Sequence, residues 1–387
     1  MEVLILSCGT GGGHNAAAEA LREECERRGD KAVFMDPYAL QSDRTVRRVS
    51  NAYVSLVQKA PRLFGAAYTL GELYRKLPWR SPVYFANRRA AHAMEVFLAQ
   101  NRFDAILMPH LFPAEIMTRL KAKGVTLPKT IFVATDYTCI PFTEETDCDA
   151  YVIPHPDLLP EFQSRGIPRE QLYPLGIPVR RAFRQKTTRE AAREALGLDP
   201  EETYLLVSGG SMGAGVLKRA VGELVRQFDG QAHLIVICGT NRRLYRYLEK
   251  KYGNAVTLIQ TTDQMALYLW ACDLYLTKPG GLSTTEAAVV GLPLVALHPI
   301  PGCETKNARF FTSHQFAVPL SQIRSGVDPD FWSYMAQRQR QGVPPDAAEG
   351  VCDLAHHLVD SACVKEPCSN HASRLFLSPL QSLQLLA

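Results

Sequence analysis

Several loops of this 387-residue chain gather the residue types that handle phosphate, sugar hydroxyls and protons. The first is Ser7-Cys8-Gly9-Thr10-Gly11-Gly12-Gly13-His14-Asn15, directly after an apolar run. Glycines let backbone N–H groups approach a ligand closely. A helix predicted from Ala16 to about Arg28 aims its positive end at this loop, which suits an anion and makes Gly11, Gly12 and Gly13 a candidate phosphate loop. His14 stands at its mouth, where an imidazole can take a proton near neutral pH. The glycine spacing matches neither GxGxxG nor the Gly-Lys-Ser/Thr of a P-loop. The bland alternative is a tight strand-to-helix turn without a ligand.

Ser208-Gly209-Gly210-Ser211-Met212-Gly213-Ala214-Gly215 repeats the arrangement after a later apolar run, and Cys238-Gly239-Thr240-Asn241 follows another. The fourth loop, Thr277-Lys278-Pro279-Gly280-Gly281-Leu282-Ser283-Thr284-Thr285-Glu286, is the most specific. Ser283 or Thr284 is expected to cap a helix with Glu286 in its first turn. Capping alone explains an acid there, yet a carboxylate at a strand end can also accept both hydroxyls of a ribose. Pro299-Ile300-Pro301-Gly302-Cys303-Glu304-Thr305-Lys306-Asn307 then offers polar groups suited to sugar hydroxyls.

These loops need elements to hold them. Short apolar runs recur at Val3–Leu6, Ala105–Met108, Thr130–Ala134 and Tyr151–Ile153. They resume at Tyr204–Val207, Leu234–Ile237, Val256–Ile259, Leu274–Leu276 and Leu294–Leu297. Continuous apolar strands alternating with helical stretches predict parallel sheets covered on both faces, with ligands at the strand C-terminal ends. The rhythm breaks near Gly176-Ile177-Pro178-Val179, passes a charged helix over 188–197 and restarts at Tyr204. That predicts α/β domains over 1–180 and 181–340 with a cleft between them, and a C-terminal helix and tail over 341–387.

Composition bounds the rest. Apolar residues make up 46% and charged residues 21%, which excludes a disordered, collagen-like or coiled-coil chain. A net charge of +4 does not by itself imply nucleic acid. Ten scattered cysteines without a CxxC read as reduced, mostly buried thiols of a cytoplasmic protein. The start, Met-Glu-Val-Leu-Ile-Leu, lacks the parts of a signal peptide, and no run of 18 apolar residues exists, so membrane contact is expected to be peripheral.

Residues 41–102 stand apart, with eleven Lys or Arg against three acids and with interleaved aromatics, among them Phe64, Tyr68, Trp79 and Phe85. This suits an anionic membrane surface, where each basic residue near the headgroups contributes about 1 kcal/mol. A solvated helical insertion is the plainer alternative. No nucleic-acid recognition motif accompanies the patch.

Taken together, the loops resemble glycosyltransferase family 28, and within it the monogalactosyldiacylglycerol synthase and processive diacylglycerol glucosyltransferase branch, over about residues 1–320. The resemblance implies the GT-B fold: two Rossmann-like domains facing a cleft, with C-terminal helices packing back on domain one. It implies a lipid acceptor on the first domain and a UDP-sugar on the second. Gly209, Gly210 and Ser211 would line the diphosphate, helped by Lys278, Gly280 and Gly281; Glu286 would bind the ribose and Met265 would face the uracil. Glu304 and Asn307 would bind the sugar. His14 is the leading base, with Asp136 and His110 the other groups expected in the cleft. The family commonly carries Gln where this chain has Cys303, and a His and Trp after the Thr-Asp pair where this chain has Tyr137-Thr138-Cys139-Ile140. The implied reaction is inverting transfer of a hexose to a lipid, diacylglycerol in the family's pattern, at the cytoplasmic membrane surface. With no DxD-type pair at a strand end, neither a metal nor a cofactor beyond the UDP-sugar substrate is expected.

Two other classes fit parts of the pattern: a UDP-sugar 2-epimerase-like isomerase, which would not need the basic stretch, and a UDP-sugar-binding regulator without turnover. A dehydrogenase would need a cleaner GxGxxG. Cys352, His356, His357, Cys363, Cys368 and His371 offer zinc-ligand types, but their spacing fits no standard finger.

Overall fold

The computed structural model describes residues 1–9, 12–213, 217–325 and 329–365. Its framework is two six-stranded sheets, all strands parallel. The first holds β1 (Glu2–Leu6), β2 (Lys31–Met35), β3 (Ala105–Met108), β4 (Lys129–Val133), β5 (Ala150–Val152) and β6 (Leu172–Tyr173), in the order β2-β1-β3-β4-β5-β6. The second holds β7 (Tyr204–Ser208), β8 (His233–Ile237), β9 (Val256–Ile259), β10 (Leu274–Thr277), β11 (Leu294–Ala296) and β12 (Val318–Pro319), in the order β12-β11-β10-β7-β8-β9. Parallel pairing needs long crossovers, which the intervening helices supply.

The central strands are buried along nearly their whole length, as their unbroken apolar runs require. Three strands lie outside the sequence expectation: β2, β6 and β12. All are at sheet edges; β2 is only half covered, and β6 and β12 have two residues each. A short or half-exposed edge strand lacks the apolar run that betrays a buried one.

In each sheet the strand order reverses beside the first strand: between β1 and β3, and between β7 and β10. Loops diverge there and leave a crevice. The two crevices face each other, for Gly12 N donates to Ser211 Oγ at 3.0 Å.

The chain returns to its first domain at the end. The helix Ala347–Lys365 packs Val351, Leu354 and Ala355 into one apolar cluster with Val3, Ile5, Ala18 and Leu21. Cys25 and Cys352 meet with sulfurs 3.6 Å apart. Arg28 donates to the Glu349 carbonyl at 3.0 Å, and His356 Nε2 lies 2.9 Å from Asp30 Oδ2. Cys352 and His356 are thus occupied in this packing rather than paired as metal ligands. Cys368 and His371 lie outside the described residues, as does Gly11, and nothing is described of the Cys363 side chain.

Candidate functional site

The cleft between the crevices draws on both domains. From the first come Gly12, Gly13, His14 and Asp136; from the second come Gly210, Ser211, Lys278, Gly280, Gly281 and Glu304. Gly209, Met265, Glu286 and Asn307 do not line it, and His110 sits behind His14 in a smaller cavity.

His14 is carried by the helix Gly12–Arg27, which begins four residues earlier than the sequence suggests and so takes up the last two glycines of its loop. Its Nδ1 lies 2.9 Å from the Pro109 carbonyl and 2.8 Å from Thr135 Oγ1. A carbonyl only accepts, so Nδ1 carries the proton and Nε2 keeps its lone pair. Burial holds the imidazole below its ordinary pKa, with the Asp136 charge opposing. His14 is therefore a neutral, oriented imidazole. His110 packs edge-on against it, ring centroids 4.5 Å apart. Its Nδ1 accepts from Phe112 N at 3.0 Å, capping the helix Leu111–Ala122, and burial keeps it well below the usual histidine range.

Asp136 follows β4. Burial raises its carboxyl, while a 2.7 Å hydrogen bond from Asn307 Nδ2 works the other way. Asn307 also donates to the Pro279 carbonyl at 3.1 Å and accepts from Tyr137 N at 2.7 Å. Its side chain is fully buried and engaged across the domain seam.

In the crevice of the second domain the turn after β7 places Gly210 at φ +69°, a left-handed conformation that suits glycine. Asn241, from the third loop, braces this turn by donating to the Gly213 carbonyl at 3.0 Å. The fourth loop differs from the sequence expectation. Its helix, Gly281–Val290, starts with Gly280 as the cap residue, and neither Ser283 nor Thr284 caps it. Thr284 instead donates back to the Gly280 carbonyl at 3.0 Å, and Thr285 to the Gly281 carbonyl at 2.7 Å. The reason is space: a Cβ on Gly281 would sit 1.9 Å from the Thr135 carbonyl oxygen, so glycine alone lets this helix start abut the other domain. Glu286 consequently falls in the second turn. It is 9% exposed, and burial pushes its carboxyl up to about 8 against the pull of Arg180.

Lys278 is ion-paired with Glu304 Oε1, and Glu304 Oε2 accepts from Ile300 N at 2.9 Å. Met265 opens the helix Met265–Ala271 after β9, half buried. Phe64, one of the aromatics of the stretch 41–102, was expected at a surface and instead lines the cleft, packing with Met212 and Ile300. The composition of that stretch suits a surface patch, and no local pattern says which aromatic turns inward. Thr135, of the Thr-Asp pair, also lines the cleft.

The stretch 41–102 forms helices Asp43–Lys59, Pro61–Tyr74, Pro82–Ala86 and Arg88–Gln100. Leu63, Leu70 and Trp79 are 60%, 65% and 67% exposed, with Leu73, Leu77 and Phe85 also outward. No helix among the described residues is long and apolar enough to cross a membrane. Outside the cleft, His155, Asp157 and His314 bring ligand-type atoms within 4.8 Å of one another, and His314 already pairs with Asp157 at 2.9 Å.

Comparison with known proteins matches two family models in succession. Residues 14–179 match monogalactosyldiacylglycerol (MGDG) synthase, and residues 204–325 match the glycosyltransferase family 28 C-terminal domain. A processive diacylglycerol beta-glucosyltransferase of Bacillus licheniformis is 26% identical over 83% of this chain and 83% of its own. A probable monogalactosyldiacylglycerol synthase 3, chloroplastic, of Oryza sativa is 27% identical over 97% of this chain and 78% of its own. Among solved structures, Acinetobacter baumannii MurG aligns at TM-score 0.58 and 16% identity, covering 92% of this chain and 99% of its own. Arabidopsis thaliana UGT89C1 complexed with UDP aligns at 0.60 and 14%, covering 94% and 99%. These neighbours share the fold, two Rossmann-like domains in the GT-B arrangement.

Proposed function

Because the chain belongs to the family of monogalactosyldiacylglycerol synthases and processive diacylglycerol glucosyltransferases within glycosyltransferase family 28, we propose that it transfers a hexose from a UDP-sugar to a lipid hydroxyl, with diacylglycerol as acceptor, at the cytoplasmic face of a membrane. The observation that carries the reading is the pairing of the two crevices: an oriented, neutral His14 on one wall and a glycine-and-lysine anion cradle on the other.

The chemistry follows from these groups. The acceptor hydroxyl gives its proton to His14 Nε2 as its oxygen bonds to the anomeric carbon. The bond from that carbon to the UDP oxygen breaks, and the sugar inverts from α to β. Charge grows on the departing diphosphate, where the Gly210–Ser211 amides, the start of the Gly281–Val290 helix and Lys278 stabilise it. Lys278 and Glu304 neutralise each other at the cleft wall. A donor would separate them, the lysine turning to phosphate and the carboxylate to sugar hydroxyls. Glu286 would take the ribose, and the backbone at Met265 the uracil. Asp136 holds a compensating charge beside His14 once the imidazole is protonated.

Membrane contact is assigned to the helix Pro61–Tyr74 and the segment after it. Their outward leucines and Trp79 offer exposed apolar surface, and the exposed Lys76, Arg88 and Arg89 of the same stretch supply positive charge.

The test is UDP release from UDP-glucose, UDP-galactose, UDP-N-acetylglucosamine and UDP-glucuronate, with and without anionic vesicles containing diacylglycerol. Release with one sugar only when vesicles are present is the expected result. A product still carrying its sugar on UDP would mean isomerisation, and UDP binding with no release under any condition would mean a regulator.

A further inference from the structure

The helix Pro61–Tyr74 has a second face, turned away from the outward leucines and into the domain seam. Gly65 lets it close on the second domain, since a Cβ there would lie 2.5 Å from Pro301 Cβ. Glu72 accepts from Lys306 at 2.9 Å and from Arg165 at 3.1 Å. Between these two residues stands Tyr68. Its ring lies against Gly302, 3.2 Å from where a Cβ would be, and Lys306 Nζ is 5.6 Å from the ring centroid. Cys303 and Asp136, both at the cleft, are among the groups that act on it electrostatically.

The Tyr68 hydroxyl is buried and has no hydrogen-bond partner among the described residues. Buried polar atoms in folded proteins are nearly always paired, so an orphan at a site asks what pairs it. The first domain supplies Tyr68 and the second supplies the Gly302–Cys303 turn that covers it. Gly302 packs on Cγ and Cδ2 of the ring, so parting the domains there would open a path to Tyr68, whose hydroxyl is acted on electrostatically by Cys303 and Asp136 of the cleft. Phe64, one turn earlier on the same helix, lines the cleft and gives an apolar approach to that point.

We propose that Tyr68 is an acceptor-binding residue: its hydroxyl hydrogen-bonds to the glycerol end of the diacylglycerol and holds the attacking oxygen toward His14. One helix then does two jobs, its outer leucines meeting the lipid phase and its inner Phe64 and Tyr68 receiving the molecule drawn from it. This inference rests on the lipid-glycosyltransferase reading given above.

The experiment compares wild type with Tyr68→Phe, which keeps the ring packed on Gly302 and removes only the oxygen. Transfer is measured against diacylglycerol content in anionic vesicles, and UDP-hexose hydrolysis is followed in their absence. Melting temperature and UDP affinity are measured on both proteins. The expected result is a loss of about three- to tenfold in acceptor kcat/KM, the worth of one hydrogen bond, with UDP affinity, hydrolysis and melting temperature unchanged. Acceptor kinetics equal to wild type would overturn the proposal. So would a loss shared by UDP affinity or hydrolysis, since that would put the hydroxyl on the donor or make its role structural. A wild-type enzyme that makes no glycolipid with any donor would instead overturn the functional reading, and this inference with it.

Discussion

At the scale of single residues, type and loop position were readable but orientation was not. His14 was singled out for standing beside glycines, yet its fitness as a base comes from Pro109 and Thr135, residues some hundred positions away that fix its tautomer. His14→Ala is expected to lower kcat by about 10²–10⁴-fold while leaving UDP affinity within a few-fold, the usual range for a lost general base. Steady-state kinetics beside UDP titration checks this, and an unchanged kcat would remove His14 from the chemistry. Glu286 was placed correctly after β10 but one helical turn too early, because glycine spacing mimics a capping pattern. Its carboxyl titrates near 8 in the folded chain against 4.5 for an ordinary glutamate. Between those values the folded state keeps a proton the unfolded chain releases. The stability this group contributes is whole at acid pH and disappears as pH rises through about 8. Glu286→Gln should therefore show a smaller fall in melting temperature from pH 5 to pH 8 than wild type; superimposable curves would contradict the buried, raised carboxyl.

At the scale of elements, the central strands announced themselves because strands buried on both faces must be continuously apolar, while the edge strands β2, β6 and β12 had no such obligation. Helix starts differ from the sequence expectation where glycine, not a capping side chain, opens the helix: Gly12 and Gly281 lie against the opposite domain, and no local rule anticipates that contact. The basic-aromatic stretch was legible as composition. Its division into an outward leucine face and an inward Phe64–Tyr68 face emerges only from packing. Leu70→Glu together with Leu73→Glu should reduce binding to anionic vesicles by about tenfold or more, since burying one leucine is worth about 1.5–3 kcal/mol. Both residues are exposed, so the melting temperature should hold. Co-sedimentation measures the effect, and undiminished binding would mean that this face does not meet lipid.

At the scale of the whole molecule, the two-domain division was visible as a break in the strand rhythm, whereas the seam was not, since its contacts join residues far apart in the chain. Asn307 bonds Asp136 and Tyr137 from the other domain, and Gly281 meets the Thr135 carbonyl with no room for a methyl group. Gly281→Ala should hold the domains apart at this point. The expected signature is a larger radius of gyration by X-ray scattering and a kcat lowered about tenfold or more, as misplacement by an ångström or so can do. A variant equal to wild type in both would show that this contact is not needed for turnover.

The return of the Ala347–Lys365 helix to the first domain also has a consequence for how the protein is made. The first sheet is complete in the nascent chain once residue 173 is synthesised, but the helix that shares a core with Val3 and Ile5 follows only at 347–365, after the whole second sheet. At about 5–20 residues per second, that apolar surface waits roughly 10–40 s on the ribosome for its cover. Throughout that interval the second domain can fold as an uninterrupted unit, so the domain translated first is the one finished last.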